Sequence, residues 1–224
     1  MPKIVDHAAR RTEIVHALWL VIYTRGIDAV TFRAVADAAG ISIGRVQHYF
    51  PSREALVLEG CRQLVAGAEI EDEAELVGAA EDGSGEVEEA GDVAAVDPVD
   101  ALRTFVRAFI PAGEAMRVGA SVWFTYVAKA VGDPLIAEIV VDNDRRTAEA
   151  AARRVARVLA RGSGAGQVAL GAESAESAAE AAVRLVALAK GLAQDVMLEV
   201  RTPEAAYDIL DREIAGIATA SAQD

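Results

Sequence analysis

Apolar residues recur at intervals of three and four along most of the chain, and this spacing predicts helices. Near the N-terminus Ile14, Leu18 and Ile22 form one such stripe, which stops at Gly26. No stretch alternates apolar and polar residues for long enough to indicate a strand. We therefore expect an all-α protein with about nine helices.

Helix starts in the later part of the chain are marked by a capping side chain followed by proline, which suits the first helical turn. These pairs are Asp97-Pro98, Asp133-Pro134 and Thr202-Pro203. With the glycine-rich breaks between them, they predict helices over residues 53–78, 98–110, 113–131, 134–161, 173–199 and 203–221.

The segment from residue 31 to residue 53 predicts two short helices joined by a tight turn. Thr31 is a candidate N-cap of the first helix, and Gly40 can adopt the left-handed conformation that ends it. Ser42 can cap the second helix, which Pro51 ends. The outer face of that second helix is polar, cationic and aromatic, so the segment predicts a helix-turn-helix that enters the major groove of DNA.

The same segment resembles the N-terminal domain of the TetR family of bacterial transcriptional regulators. The positions that carry the resemblance are Thr31, Val35, Ala36, Ala39, Gly40, Ile41, Ser42, Gly44, Tyr49, Phe50, Ser52, Arg53 and Leu56. The resemblance implies a three-helix, helix-turn-helix DNA-binding domain over residues 1–52. A larger helical ligand-binding and dimerisation domain is then expected over residues 53–221.

The resemblance also implies roles for side chains in the first domain. Contacts to phosphate are expected from Thr31, Arg33, Tyr49 and Arg53. The second helix is expected to face the edges of the bases, and its predicted DNA-binding residues are Ser42, Ile43, Gly44, Arg45, Gln47 and His48.

Two of these positions depart from the commonest pattern of the family. Arg45 stands where a small residue is common, and Gln47 stands where an aromatic residue is common. Glutamine can read adenine through N6 and N7, and arginine can read guanine through O6 and N7. Contact of Arg45 with a phosphate remains an open alternative.

The net charge of −13 is unevenly divided along the chain. Residues 1–62 carry eight Lys/Arg and six Asp/Glu, a charge of +2, so the remaining 14 basic and 29 acidic residues give −15. Only the N-terminal part is therefore suited to close approach to DNA. Residues 79–97 are expected to form a mobile acidic loop, which either aids solubility or keeps the rest of the protein away from the duplex.

Two long amphipathic helices at the C-terminus carry apolar stripes that need a cover. In TetR-like proteins the matching helices of two subunits form a four-helix bundle, so the resemblance implies a homodimer and a palindromic DNA operator. The alternative is that both stripes pack within one subunit. The residues expected at the dimer interface are Leu185, Leu188, Leu192, Val196, Leu210, Ile214 and Ile217.

Beyond the N-terminal domain, most of the aromatic residues lie in the middle of the chain, which is only 5% aromatic, and this predicts a pocket for a small-molecule effector. The alternative is an ordinary hydrophobic core. Residues 121–157 resemble the ligand domain of betaine-responsive repressors, without identifying a ligand. The expected pocket residues are Phe105, Phe109, Met116, Trp123, Phe124, Tyr126, Asn143 and Gln194.

Other chemistry is not indicated by the sequence. No Ser/His/Asp set, Cys/His pair or phosphate loop is found, so we expect neither an enzyme nor a cofactor. His48 lacks partners at ligand spacing, so no metal site is expected. Cys61 falls on an apolar stripe and is interpreted as core packing, with a redox sensor as the alternative.

The longest wholly apolar run, residues 17–23, is too short to span a bilayer, and no secretory leader precedes it. A cytoplasmic location without a membrane partner is expected. The sequence therefore predicts a ligand-responsive repressor that binds a palindromic operator as a dimer and is released by a small molecule. A DNA-binding regulator without an effector, or an activator, is the alternative.

Overall fold

The computed structural model describes residues 7–77, 96–162 and 172–220, which form nine α-helices and one short 3₁₀ helix, with no strand among them. The 3₁₀ helix is Ile27–Ala29, between the first and second α-helices. The α-helices are α1 His7–Arg25, α2 Phe32–Ala39, α3 Ile43–Tyr49, α4 Arg53–Val77, α5 Pro98–Arg107, α6 Glu114–Ala130, α7 Pro134–Gly162, α8 Ala172–Met197 and α9 Pro203–Ala220.

The all-α prediction is confirmed, and each predicted helix is found with ends that differ by a few residues. The three helices that proline marks begin with the expected caps. At α5, Asp97 accepts a hydrogen bond from the Val99 amide at 2.8 Å. Asp133 and Thr202 cap α7 and α9 in the same way. The predicted acidic loop lies outside the described residues except for its last two positions, 96 and 97.

The chain divides into two compact units, which differ from the two predicted domains. The described part of the first unit comprises residues 7–69 and 114–143. The described part of the second comprises residues 70–77, 96–113, 144–162 and 172–220. The N-terminal helices therefore share a unit with α6 and the beginning of α7.

The first unit is held together by close packing of α1, α4 and α6 around Gly60. The hydroxyl of Tyr126, which is fully buried, donates to the Val57 carbonyl at 3.0 Å, and Trp19 Nε1 donates to the Gly60 carbonyl at 3.2 Å. A Cβ atom at Gly60 would lie 2.5 Å from both Leu18 Cδ2 and the Tyr126 hydroxyl. A larger residue at this position would force one of these buried side chains to shift.

Cys61 lies next to this crossing and is completely buried. Burial raises the pKa of its thiol to about 11, so the reactive thiolate is suppressed at neutral pH. Both observations support the interpretation as core packing over the interpretation as a redox sensor.

The second unit combines an apolar core with ion pairs between its helices. Leu102 of α5, Leu185 of α8 and Leu210 of α9 are fully buried. Asp211 of α9 accepts from Arg103 Nε at 3.3 Å and also pairs with Arg107 Nη2. These bonds fix α5 against α9.

Candidate nucleic-acid interface

The helix-turn-helix begins and turns where the sequence predicts. Thr31 Oγ1 accepts from the Ala34 amide at 3.0 Å, and Ser42 Oγ accepts from the Arg45 amide at 3.3 Å. Gly40, with φ of 64°, ends α2 in the left-handed conformation. The turn thus leaves α2 and α3 each with a capped N-terminus.

Four residues of α3 are exposed on the face predicted to read DNA: Gly44, Arg45, Gln47 and His48. Thr31 and Arg33, at the start of α2, are exposed as well. Neither Arg33 nor Arg45 has an ion-pair partner among the residues described, so both guanidinium groups are available to an anionic partner.

Two other residues that were predicted to contact DNA, Ile43 and Tyr49, are less accessible to solvent. Ile43 is half-buried and packs against the core of the first unit instead of standing fully on the outer face. Tyr49 is also half-buried, and its ring centroid lies 5.7 Å from that of His7 and 5.2 Å from that of His48. The start of α1 therefore contributes an aromatic side chain at the end of α3.

Arg53 is placed differently from the phosphate contact that the sequence suggested. Its Nε donates to the Val30 carbonyl at 2.7 Å, and its Nη2 donates to the Ile27 carbonyl at 2.8 Å. The side chain is half-buried. The first residue of α4 is thus bonded to the main chain immediately before α2.

Arg11 of α1 makes a second connection of this kind, and sequence reasoning did not find it. Its Nη1 donates to the Tyr49 carbonyl at 3.0 Å, and its Nη2 lies 3.3 Å from Glu59 Oε2. Its guanidinium also lies 4.6 Å from the centroid of the Phe50 ring. No sequence signal pointed to Arg11, because its partners are 38 to 48 residues away.

Predicted pocket residues occur in both units. In the second unit, Phe105 is buried and its ring meets that of Phe109 at 5.7 Å between centroids. The guanidinium of Arg154, itself only 4% exposed, lies 4.3 Å from the centroid of Phe105. The guanidinium of Arg154 therefore covers the ring of Phe105, which was predicted to line the effector pocket.

In the first unit, the predicted pocket residues range from fully buried to exposed. Trp123, Phe124 and Asn143 are half-buried, and Tyr126 is a core residue whose hydroxyl is already bonded. Met116 is 40% exposed on α6.

Gln194, which belongs to the second unit, requires a correction. It is exposed, because the period of the helix turns it away from the buried neighbours Leu192 and Val196.

The predicted dimer stripes also require a correction. Within a single chain the structure buries six of the seven side chains: Leu185, Leu192, Val196, Leu210, Ile214 and Ile217. Leu188 is half-buried. For five of the six, the alternative of packing within one subunit is the one observed, whereas Leu192 also lines a groove on the outer surface.

A different face of α8 and α9 is open to solvent. A shallow groove there is lined by Ala187, Leu188, Gly191, Leu192, Asp195, Arg201 and Ile209. Val183, also on α8, is 59% exposed.

Among the described helices, none is long and apolar enough to cross a membrane.

These features define a helix-turn-helix protein whose capped second helix presents Arg, Gln and His side chains to solvent. Two family models match the chain. Residues 14–59 match the bacterial regulatory proteins of the tetR family, and residues 98–219 match the C-terminal part of the BetI-type transcriptional repressors. The chain belongs to the TetR family of transcriptional regulators, and its C-terminal part is of the BetI repressor type.

Individual relatives and solved structures agree with this family assignment. The chain is 28% identical to the regulator BetI of Stenotrophomonas maltophilia over 65% of its own length and 67% of BetI. It is 42% identical to the regulator PksA of Bacillus subtilis, but it spans only 28% of that protein. A transcriptional regulator from Rhodococcus shares 26% identity with a TM-score of 0.69, covering 94% of this chain and 96% of that one. A regulator from Saccharomonospora viridis, solved in complex with choline, shares the fold with 23% identity, a TM-score of 0.70 and 95% and 96% coverage.

Proposed function

We propose that the protein is a repressor that binds a palindromic operator as a homodimer and is released from DNA by a small molecule. The observation that carries this proposal is the solvent-exposed set on α3, Arg45, Gln47 and His48, in a chain whose C-terminal part is of the BetI repressor type. In this proposal Arg33 and the exposed hydroxyl of Thr31 bind phosphates.

A homodimer would place two copies of α3 on a two-fold axis. Successive major grooves are about 34 Å apart, so two equal half-sites give a palindrome. We infer that the open groove of α8 and α9 forms the contact between subunits, since most of the predicted stripe residues are buried within the single chain. Leu188 and Leu192 are the two residues of the original interface prediction that line this groove.

Substitution of Gly191 tests this contact. A Cβ atom at Gly191 meets nothing within 4 Å, so Gly191→Arg can be accommodated within a single subunit. We expect the variant to fold and to become monomeric by light scattering at micromolar concentration, with loss of operator binding. Gly67→Arg, at an equally open position on α4, is the matched control and should remain dimeric.

Choline is the first effector to test, because the relative from S. viridis was solved with it. Aromatic rings attract quaternary ammonium groups, whereas the cation of Arg154 beside Phe105 would oppose one there. A thermal-shift experiment should therefore compare choline, its carboxylate derivative betaine, and the uncharged isostere in which carbon replaces the quaternary nitrogen. A compound that binds only the folded state raises the melting temperature by mass action.

A regulator without a small-molecule effector is the second candidate. It is favoured by the placement of Tyr126, whose hydroxyl is bonded to α4, and of Gln194, which faces solvent. The absence of any shift from a broad set of small compounds would favour this candidate over a ligand-responsive repressor.

The decisive experiment is selection of bound duplexes from random DNA with the full chain. We expect a palindromic sequence to be recovered, and we expect wild-type protein to prefer it over random duplex by about a thousandfold or more. Recovery of no preferred sequence at modest salt concentration would overturn the proposal.

A further inference from the structure

The two arginines that bind main-chain carbonyls lie at both ends of the recognition segment. Arg53 begins α4, and its two bonds reach Ile27 and Val30, just before α2. Arg11 reaches the carbonyl of Tyr49, the last residue of α3. Together they hold the chain where it enters and where it leaves the helix-turn-helix.

The bonds of Arg53 join residues that are 23 and 26 positions apart in sequence. They close a loop that contains all of α2 and α3. Because Val30 is completely buried, the carbonyl that accepts from Nε belongs to a fixed part of the main chain. The start of α4 and the start of α2 therefore cannot move apart without breaking these bonds.

Arg11 provides a hydrogen-bond donor at the C-terminal end of α3. The last carbonyls of a helix have no partner within the helix, and a cationic side chain near the C-terminus stabilises them. The carbonyl of Tyr49 is such a group. Contacts with Glu59 and the ring of Phe50 fix the same guanidinium against α4 and the end of α3.

We propose that Arg53, assisted by Arg11, is a positioning residue that sets the orientation of α3 in the DNA groove and is not itself a contact to phosphate. This inference rests on the proposed function. Its geometric basis is that two of the donor groups of Arg53 already bind carbonyls, and that lysine cannot reproduce a planar two-carbonyl contact.

The test uses the duplex selected by the wild-type protein and a random duplex of equal length. Arg53→Lys keeps the charge and loses the geometry, whereas Arg53→Gln loses both. Arg33→Gln is the matched control, because Arg33 is exposed and has no ion-pair partner in the described part of the chain. Affinities are measured over a range of salt concentrations, well below the melting temperature of each variant.

A positioning role predicts that Arg53→Lys and Arg53→Gln both lose about tenfold in affinity for the selected duplex, as expected for hydrogen bonds from a charged group. Both should lose less on the random duplex, and both should keep the wild-type salt dependence. Arg33→Gln should lower the slope of log affinity against log salt by about 0.9, with equal losses on both duplexes.

A phosphate contact would give the opposite pattern. Arg53→Lys would then resemble the wild type, and only Arg53→Gln would lower the slope. That result, or equal losses on the two duplexes, would overturn the inference.

Failure of the proposed function would be separable from this outcome, because the wild type would then select no duplex. Hydrogen exchange of the free protein still tests the inference in that case. We expect faster exchange of the α2 and α3 amides in Arg53→Lys than in the wild type, and unchanged protection would overturn the positioning role.

Discussion

Arg53 in the first compact unit and the two arginines of α5 in the second are bonded to different kinds of partner. In the first unit Arg53 donates to two carbonyls, which carry no net charge. In the second unit Arg103 and Arg107 pair with the carboxylate of Asp211, which neutralises part of their charge. The carbonyl contacts fix the Arg53 side chain without an ion pair, whereas the contacts of Arg103 and Arg107 place a carboxylate beside each cation.

The largest expected effect concerns the close helix crossing at Gly60 in the first unit. Gly60→Ala would place a Cβ atom 2.5 Å from the Leu18 side chain and the Tyr126 hydroxyl, both buried. Overpacking of this kind costs up to about 3 kcal/mol of the free energy of unfolding. The midpoint of urea unfolding measures the change.

Gly67→Ala on the same helix is the control, because nothing lies within 4 Å of a Cβ there. It should leave stability unchanged or raise it by about 0.5 kcal/mol. Equal midpoints for the two variants would refute the close-packed crossing.

The next prediction concerns an exposed side chain of the first unit, in contrast to those that are bonded within the protein. Gln47→Ala should remove about 1 to 2 kcal/mol of discrimination between the selected duplex and single-base variants, if Gln47 reads a base. Competition binding with a panel of such variants measures this. A uniform loss across the panel would show that Gln47 does not read sequence.

A smaller effect is expected from the carboxylate pairing of the second unit. Asp211→Asn should lower the free energy of unfolding by less than about 1 kcal/mol, because the pairs are about one-third exposed and screened by solvent. The loss should shrink further in high salt. Asp208→Asn, at an exposed position of α9, is the control, and a loss well above about 1 kcal/mol for Asp211→Asn would contradict a weak, screened pairing.

The smallest effect follows from Cys61. Burial raises the pKa of its thiol from 9.0 to about 11, so the folded state retains the proton longer than the unfolded chain. This contribution to stability is complete below about pH 9 and is lost as the pH rises through about 11. Wild type and Cys61→Ala should therefore keep a constant stability difference up to about pH 8, and a difference that changes between pH 6 and 8 would contradict the assignment.

The sequence predicted local structure well, because caps and helix ends depend on neighbouring residues. Thr31, Gly40 and Ser42 adopt the expected roles. The contacts of Arg11 and Arg53 could not be predicted, since helical spacing indicates which face a residue occupies but not which distant carbonyl it meets. The stripes around Leu185 and Leu210 were identified correctly as apolar, but periodicity does not reveal whether their cover comes from the same subunit.

The hydroxyl of Tyr126 links α6 to the main chain of α4 inside the same unit that carries the recognition helix. We expect this bond to couple α6 to the helix that follows α3. A displacement of α6 should therefore be passed to α4 and, through the bonds of Arg53, to the main chain before α2.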